Sequence, residues 1–192
     1  QPTRMTDTDD TEDPAATARR VLRSVPMAAL ATLARDREGW PYASLVACAV
    51  GHDGTPALLL SELSDHPRNL HADGRASLLF DNTAGVAERM AGERLTLMGR
   101  LAPVADDARP SLRARYLARH PKGKLYVDFP DMSFWRLVLD RASFNGGFGR
   151  AARLARGDLR PGPATGDRRE RASHAAERVT GRPPRHGGLS VG

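Results

Sequence analysis

The stretch RLTLMGRLAPV, residues 94–104, has the clearest strand pattern in this chain of 192 residues. Three leucines, Leu95, Leu97 and Leu101, share one parity, and the residues of the other parity are Thr96, Met98 and Arg100. Successive side chains of a strand point to opposite faces, so this alternation predicts a half-buried β-strand. A sheet built on this strand would bury its leucine face.

Similar apolar runs separated by short turns lie before and after this stretch. They predict further strands at residues 27–34, 40–50, 57–63, 76–81 and 133–141. The cluster Gly51-His52-Asp53-Gly54 is typical of a hairpin turn. Helical patterns are fewer and cover residues 14–25, 66–72 and 106–120, the first with Asp13 as its N-cap. This arrangement predicts a mainly β fold, an antiparallel barrel or sandwich with peripheral helices.

Composition is compatible with one folded domain and two polar ends. Apolar residues make up 40% of the chain, and its formal net charge is +6. Most of this excess positive charge lies after residue 150, where the chain has nine arginines, four acidic residues and no aromatic residue. We therefore predict a disordered N-terminus (1–13), a folded domain (14–154) and a basic, disordered tail (155–192).

Several classes of protein are excluded by simple patterns. No apolar stretch approaches the length of a membrane span, and the acidic N-terminal residues do not resemble a signal peptide. The single cysteine, Cys48, can form no internal disulfide and is expected to act as a small buried hydrophobic residue. These features predict a cytoplasmic protein. Phe134 and Trp135 are expected in the core or in a dimer contact.

The segment LSELSDHPRNL, residues 60–70, is the strongest candidate for a binding site. A strand ends in hydroxyl groups, and a short helix follows it at once. Free amide groups at a helix N-terminus attract anions, and Ser61, Ser64 and Arg68 would add further donors. The alternative interpretation is that Ser64 or Asp65 only caps the helix and that Arg68 is solvated.

This segment and four others resemble the pyridoxamine 5'-phosphate oxidase-like split-barrel superfamily, and within it the haem-utilisation (HugZ-type) branch. From Ser61 the pattern reads Ser-x-Leu-Ser-x-His-Pro-x-Asn-Leu. The other similar segments are residues 30–33 with 41–46, 94–100, 115–121, and 134–137 with 147–151. Together they cover about residues 14–152, in the family's order.

The resemblance implies a six-stranded antiparallel split barrel of the FMN-binding type. It also implies a homodimer with FMN at the subunit interface. By position, Ser44 and Val46 would lie along the flavin edge, and Arg100 would approach from the central strand. The phosphate and ribityl chain would be surrounded by Ser61, Ser64, His66, Arg68 and Asn69. Arg150 would meet a phosphate or a propionate, or else be a surface arginine beside a Gly-rich turn.

Two departures separate the chain from true pyridoxamine phosphate oxidases. The phosphate loop reads Asp65-His66-Pro67-Arg68 where those enzymes have an Arg-Lys pair. Residues 136–141 lack their Arg-x-His motif. Vitamin B6 oxidation is therefore not expected.

We accordingly predict an FMN-binding oxidoreductase of unknown substrate. The alternative is a haem-binding or haem-degrading protein on the same fold. In the haem-utilisation branch a histidine of a C-terminal segment ligates the iron, and here only His174 and His186 lie in the tail. A third possibility, nucleic-acid binding by the basic tail, is disfavoured because the tail has no aromatic side chain to stack on bases.

Overall fold

The computed structural model of the chain describes residues 13–147 and 150–161. Its helices are α1 (Pro14–Ser24), α2 (Asp65–Ala72) and α3 (Arg109–Arg119). Its strands are β1 (Met27–Ala34), β2 (Trp40–Val50), β3 (Pro56–Ser61), β4 (Arg75–Asn82), β5 (Glu93–Pro103), β6 (Met132–Asn145) and β7 (Ala151–Leu154). Short 3-10 turns lie at Arg89–Ala91, Asp106–Ala108, Pro121–Leu125 and Arg156–Leu159.

The strands pair antiparallel in the order β3-β2-β1-β4-β5-β6, and β3 also pairs with β6. This last pairing closes six strands into a barrel, which confirms the predicted mainly β fold with peripheral helices. The long strand β6 has two partners on one side. Residues Met132–Arg136 pair with β3, and Ala142–Asn145 pair with β7.

Strand β7 was not predicted from the sequence. Its residues, Ala-Ala-Arg-Leu, include no β-branched or aromatic side chain, so their own preference for a strand is weak. The pairing with β6 determines their conformation instead. The turn before β7 includes Gly147, whose φ of +105° is rarely adopted by residues with a side chain.

The barrel interior is filled by the inward-facing residues of every strand. Leu30, Leu58, Leu78, Leu97 and Trp135 belong to this main core, and all are at most 1% exposed. Cys48 lies in the same core, where burial raises the pKa of its thiol to about 12. This confirms the expectation that Cys48 packs as a small hydrophobic residue.

A second, smaller core lies between the barrel wall and α3. Leu59 and Phe134 face outward from β3 and β6 and pack with Leu112 and Tyr116 of α3. Strand β3 is therefore buried on both faces, which explains why residues 56–60 are all buried. The expected packing role of Phe134 and Trp135 is confirmed, with one residue in each core.

The β5–β6 pairing contains a β-bulge, whose extra residue lies on β6 opposite the middle of β5. Met98 pairs with Arg141 and Gly99 with Leu139, so Asp140 has no opposite residue. A side chain at position 99 would collide with the backbone oxygen of Val138. Glycine therefore permits the close approach of the two strands at this point.

The helices are short and lie outside the barrel. Helix α1 is capped as expected, because Asp13 Oδ1 accepts a hydrogen bond of 3.1 Å from the Ala15 amide. The longest of them, α1 and α3, have 11 residues each. Within the described ranges, no helix is both long and apolar enough to cross a membrane.

Candidate functional site

The hydroxyl groups before α2 are mostly engaged within the protein. Ser61 Oγ donates a hydrogen bond of 2.5 Å to Asp131 Oδ2 and accepts one of 3.3 Å from the Leu63 amide. Ser64 occupies the N-cap position of α2, but its side chain makes no capping hydrogen bond. The carboxylates of Asp65 and Asp131 lie at this same end of the helix. An anion bound there would meet two negative charges.

The basic residues of the same segment do not converge on one point. Arg68 is exposed, and its only described ion pair is with Asp65, at 3.8 Å. Partial burial lowers the pKa of His66, and the nearby Asp65 only partly opposes this shift, so the imidazole is neutral at pH 7. The amino end of α2 therefore presents little positive charge.

Asn69 has a structural role. It is 4% exposed, and its Nδ2 donates to Thr32 Oγ1 at 3.1 Å. Its Oδ1 accepts from the Arg35 amide at 3.1 Å. Both ends of the amide group thus tie α2 to the end of β1, and neither is available to a ligand.

Ser44 and Val46 share one face of β2, and that face points into the barrel. They pair with Leu30 and Ala28, which are buried in the interior. Val46 is 4% exposed, and the Ser44 Oγ is buried without a hydrogen-bond partner among the described residues. A flat cofactor on the outside of the barrel would not touch either side chain.

Arg150 lies at the start of β7 and is exposed. It follows the Gly146–Gly147 turn and helps to lower the pKa of Glu93 by its positive charge, after larger contributions from Arg20 and Asn82. Strand β7 follows Arg150 directly. The two tail histidines, His174 and His186, lie outside the described residues, as do residues 1–12 and 162–192 of the two ends predicted to be disordered (1–13 and 155–192).

Arg100 lies elsewhere, in an open cleft of about 600 Å³ on the outer face of the barrel. Four strands, β1, β4, β5 and β6, supply most of its wall, and Pro41 of β2 completes it. The cleft is lined mainly by small and apolar residues, including Ala31, Leu33, Met98 and Val138. Its size is typical of a site for a small molecule or cofactor.

The bulge in β6 lies in the wall of this cleft. Three successive residues, Val138, Leu139 and Asp140, line it. Three successive residues of the regular strands β1 and β4 also line it, so the bulge adds an irregularity to the wall and is not needed for such a run. The bulge lies at Asp140, and Gly99 on β5 lets the two backbones approach there.

Two arginines lie side by side at one end of the cleft. Arg75 and Arg100 are opposite each other on β4 and β5, and each side chain is about two-thirds exposed. Asp73 links them: its carboxylate accepts hydrogen bonds of 2.6–3.1 Å from the Arg75 side chain and lies 4.0 Å from Arg100. The hydrogen bonds from Arg75 lower the pKa of Asp73 to about 2. Two positive charges thus lie beside the carboxylate of Asp73, and Asp140 adds a second carboxylate to the lining of the cleft.

Sequence reasoning identified only Arg100 among the residues of this cleft. Arg75 could have been recognised because it directly precedes the predicted strand at 76–81, but its position opposite Arg100 depends on the register. Met98 was assigned to the parity opposite the leucines of its strand, without a role. The unpaired position of Asp140 depends on a bulge that no local pattern indicates.

Comparisons with known proteins point to the same fold and to haem. The chain is 38% identical over 119 residues to the chloroplastic "Non-canonical heme oxygenase HOZ" of Arabidopsis thaliana, which is 62% of this chain and 36% of that protein. A heme-binding protein from Mycobacterium smegmatis has a similar structure, with a TM-score of 0.72 and 31% identity over 77% of this chain and 60% of the other. The chain thus spans less than two thirds of either relative.

A second solved structure has the same fold at much lower sequence identity. A Clostridium acetobutylicum protein of the pyridoxinephosphate oxidase family superposes with a TM-score of 0.57 and 14% identity, covering 77% of this chain and 99% of that one. This likeness concerns the fold alone. It confirms the split-barrel resemblance, and the two closer relatives confirm its haem-utilisation side.

These relatives contradict our prediction of an FMN-dependent oxidoreductase. The Arabidopsis and Mycobacterium smegmatis proteins, at 38% and 31% identity, are both named for haem, and the arrangement around α2 offers a phosphate few free donors. The family model for the CREG β-barrel matches residues 9–159, which is most of the chain and includes every described strand. This chain therefore belongs to the CREG β-barrel family.

Proposed function

We propose that this chain binds haem in the outer cleft, between the wall formed by β5 and β6 and the arginine pair of Arg75 and Arg100. The proposal is supported by the two haem-related proteins to which the chain is similar. The observation that carries it is the combination of an apolar cleft of about 600 Å³ with two adjacent arginines at one end.

The chemistry of the cleft suits this ligand. Haem is a flat apolar macrocycle with two carboxylates on one edge. The apolar side chains of Ala31, Leu33 and Val138 would lie against the ring and exclude water from it. Arg100 can donate paired hydrogen bonds to one carboxylate. Arg75 already donates to Asp73 from its Nε and one terminal nitrogen, and its remaining N–H groups can donate to the other carboxylate. The neighbouring positions of the two arginines match two carboxylates on one edge better than a single phosphate.

The role of the chain in any reaction follows from these contacts. A bound haem supplies iron redox chemistry, and the protein supplies binding, orientation and a dry surface. The apolar wall would lie against one face of the ring. The arginines would bind the edge that carries the carboxylates. Haem breakdown is the second part of the proposal and rests on the haem oxygenase relative. Its test is loss of the haem absorption with oxygen and a reductant present.

We also propose that a second copy of the chain covers the outer face beside the cleft. This face consists of Met27, Ala29 and Ala43 with the exposed leucines Leu45 and Leu79, and Ala29 pairs with both leucines. Leu45 is 71% exposed, although it is surrounded by apolar neighbours. One chain forms only one wall of the cleft, and a symmetric dimer would supply the other.

The dimer is tested by Leu45→Arg, with Leu125→Arg as a matched control. Leu125 is also highly exposed, at 76%, but lies in the turn after α3. We expect the wild type and the control to sediment as dimers and Leu45→Arg as a monomer with weaker haem binding. A monomeric wild type would contradict the proposal.

Haem binding is tested by titrating the full chain with haemin and following the absorption spectrum. The double variant Arg75→Gln/Arg100→Gln should bind about tenfold more weakly, which corresponds to roughly 1.4 kcal/mol. Arg68→Gln is the control, because Arg68 is an exposed arginine outside the cleft. Equal losses in both variants, or no loss in either, would place haem elsewhere.

A further inference from the structure

Met98 occupies the outer face of β5 within the cleft. Its neighbours in the chain show this orientation: Leu97 is fully buried in the barrel, whereas Met98 is 47% exposed and lines the cleft. Across the sheet it pairs with Ser77 and Arg141, one row from the Arg75–Arg100 pair. An unbranched thioether side chain therefore stands beside the place where the macrocycle would lie.

The position of Met98 is coupled to the bulge. The register shift falls between Met98 and Gly99, beside Val138, Leu139 and Asp140, which also line the cleft. Bulges of this kind redirect side chains and are frequent beside functional sites. Met98 is therefore the side chain at the point where β5 and β6 depart from regular geometry.

The imidazole groups of the described residues are used elsewhere. His71 Nε2 contacts Glu62 Oε2 at 2.9 Å, and His120 Nε2 contacts the Cys48 carbonyl oxygen at 3.0 Å. His52 contacts Arg115, and His66 does not line the cleft. Among the residues that line the cleft, Met98 is thus the one with a sulfur or imidazole donor.

We propose that the Met98 thioether is an axial ligand of the haem iron. This inference rests on the proposed haem site and names the protein atom that reaches the metal, Met98 Sδ. Thioethers are neutral, soft donors, and methionine ligation of haem is associated with a raised reduction potential. Met98 therefore stabilises the ferrous state relative to the ferric state.

The experiment compares the haem complexes of the full-length wild type, Met98→Leu and the control Met90→Leu. Leucine is similar in volume to methionine and lacks the sulfur. Met90 is a second exposed methionine, in the turn Arg89–Ala91, and it lies outside the residues that line the cleft and outside the proposed dimer face. The readouts are the near-infrared charge-transfer band of a thioether–ferric haem bond, the magnetic circular dichroism of both oxidation states, and the reduction potential.

We expect the thioether signature in the wild type and in Met90→Leu, and its loss in Met98→Leu. The same loss should lower the reduction potential and weaken ferrous haem binding by about tenfold. Met98→His should replace the signature by that of an imidazole ligand while haem stays bound. These three changes together support the inference.

Two results overturn it in distinguishable ways. If the wild type binds haem and Met98→Leu has the same spectrum and potential, Met98 is not a ligand and the haem site stands. If a His174→Ala/His186→Ala variant then loses the ligand signal, the iron is held by the tail. If haemin does not bind the wild type at all, the proposed function fails together with the inference.

Discussion

The amino end of α2 and the outer cleft look very different in sequence and have opposite roles in the structure. The first concentrates polar side chains in one short segment, yet Ser61 and Asn69 make hydrogen bonds within the protein. The cleft has a plain apolar lining, yet it has room for a ligand and two arginines at one end. Room for a ligand therefore distinguishes the two regions better than the number of polar side chains does.

The difference also shows how charge should be judged. At α2, acids and bases alternate along the chain, and Arg68 lies near Asp65. At the cleft, two arginines share the carboxylate of Asp73, and Asp140 adds a second carboxylate to the lining. The arginine pair comes from the pairing of strands and not from neighbouring positions in the chain.

The largest expected effect comes from a substitution that disturbs the β-bulge at the cleft. Gly99→Ala places a methyl group against the Val138 backbone oxygen, an atom that cannot move without shifting β6. We expect a loss of about 3 kcal/mol in the free energy of unfolding, together with weaker haem binding. Chemical denaturation measures the first effect. Gly157→Ala is the control, since nothing lies within 4 Å of its added Cβ, and an equal loss there would contradict the argument.

Asn69→Ala tests whether the α2 segment is structural. The change leaves Thr32 Oγ1 and the Arg35 amide without their partner, and Thr32 is 2% exposed. We expect the free energy of unfolding to fall by about 2 kcal/mol, the usual consequence of unsatisfied buried polar groups. Arg68→Ala, on the exposed side of the same helix, should change it by less than about 0.5 kcal/mol. Comparable effects of the two changes would mean that Asn69 has no special role.

Ser61→Ala separates stability from binding. It removes the hydrogen bond to Asp131, so the free energy of unfolding should fall by about 1 kcal/mol. Haemin affinity should stay within about twofold of the wild type, because Ser61 does not line the cleft. A clear loss of haemin affinity in this variant would mean that the α2 segment belongs to the haem-binding site.

The smallest expected effect is a pH dependence at the end of β3. Partial burial raises the pKa of Glu62, but hydrogen bonds from Ser133 and His71 outweigh it and hold the pKa below its ordinary value of 4.5. A carboxyl with a lowered pKa stabilises the fold above pH 4.5, and this contribution is lost as the pH falls through the lowered value. Glu62→Gln should therefore lose stability near neutral pH and show a weaker decline in acid. Parallel pH profiles of the two proteins would refute this.

Much of the fold was predictable because local patterns and tertiary pairing agree. The bounds of β1 and β2, residues 27–34 and 40–50, match the predicted strands. Strand β6 is longer than predicted, since it runs through the bulge to Asn145 and pairs with β7 there. The cleft was less predictable. Of the residues predicted to bind a cofactor, only Arg100 lines it, while Ser44 and Val46 face the barrel interior.

The sequence by itself determined the alternation of apolar and polar residues along the strands. This alternation determines which side chains face the barrel core. It also determined the helix caps and the turns, which depend on residues close together in the chain. Only the tertiary structure decided that Arg75 lies opposite Arg100 and that Asp140 of β6 has no opposite residue on β5. The physical reason is that register and bulges arise from pairing between distant strands, where a shift of one residue reverses every side chain.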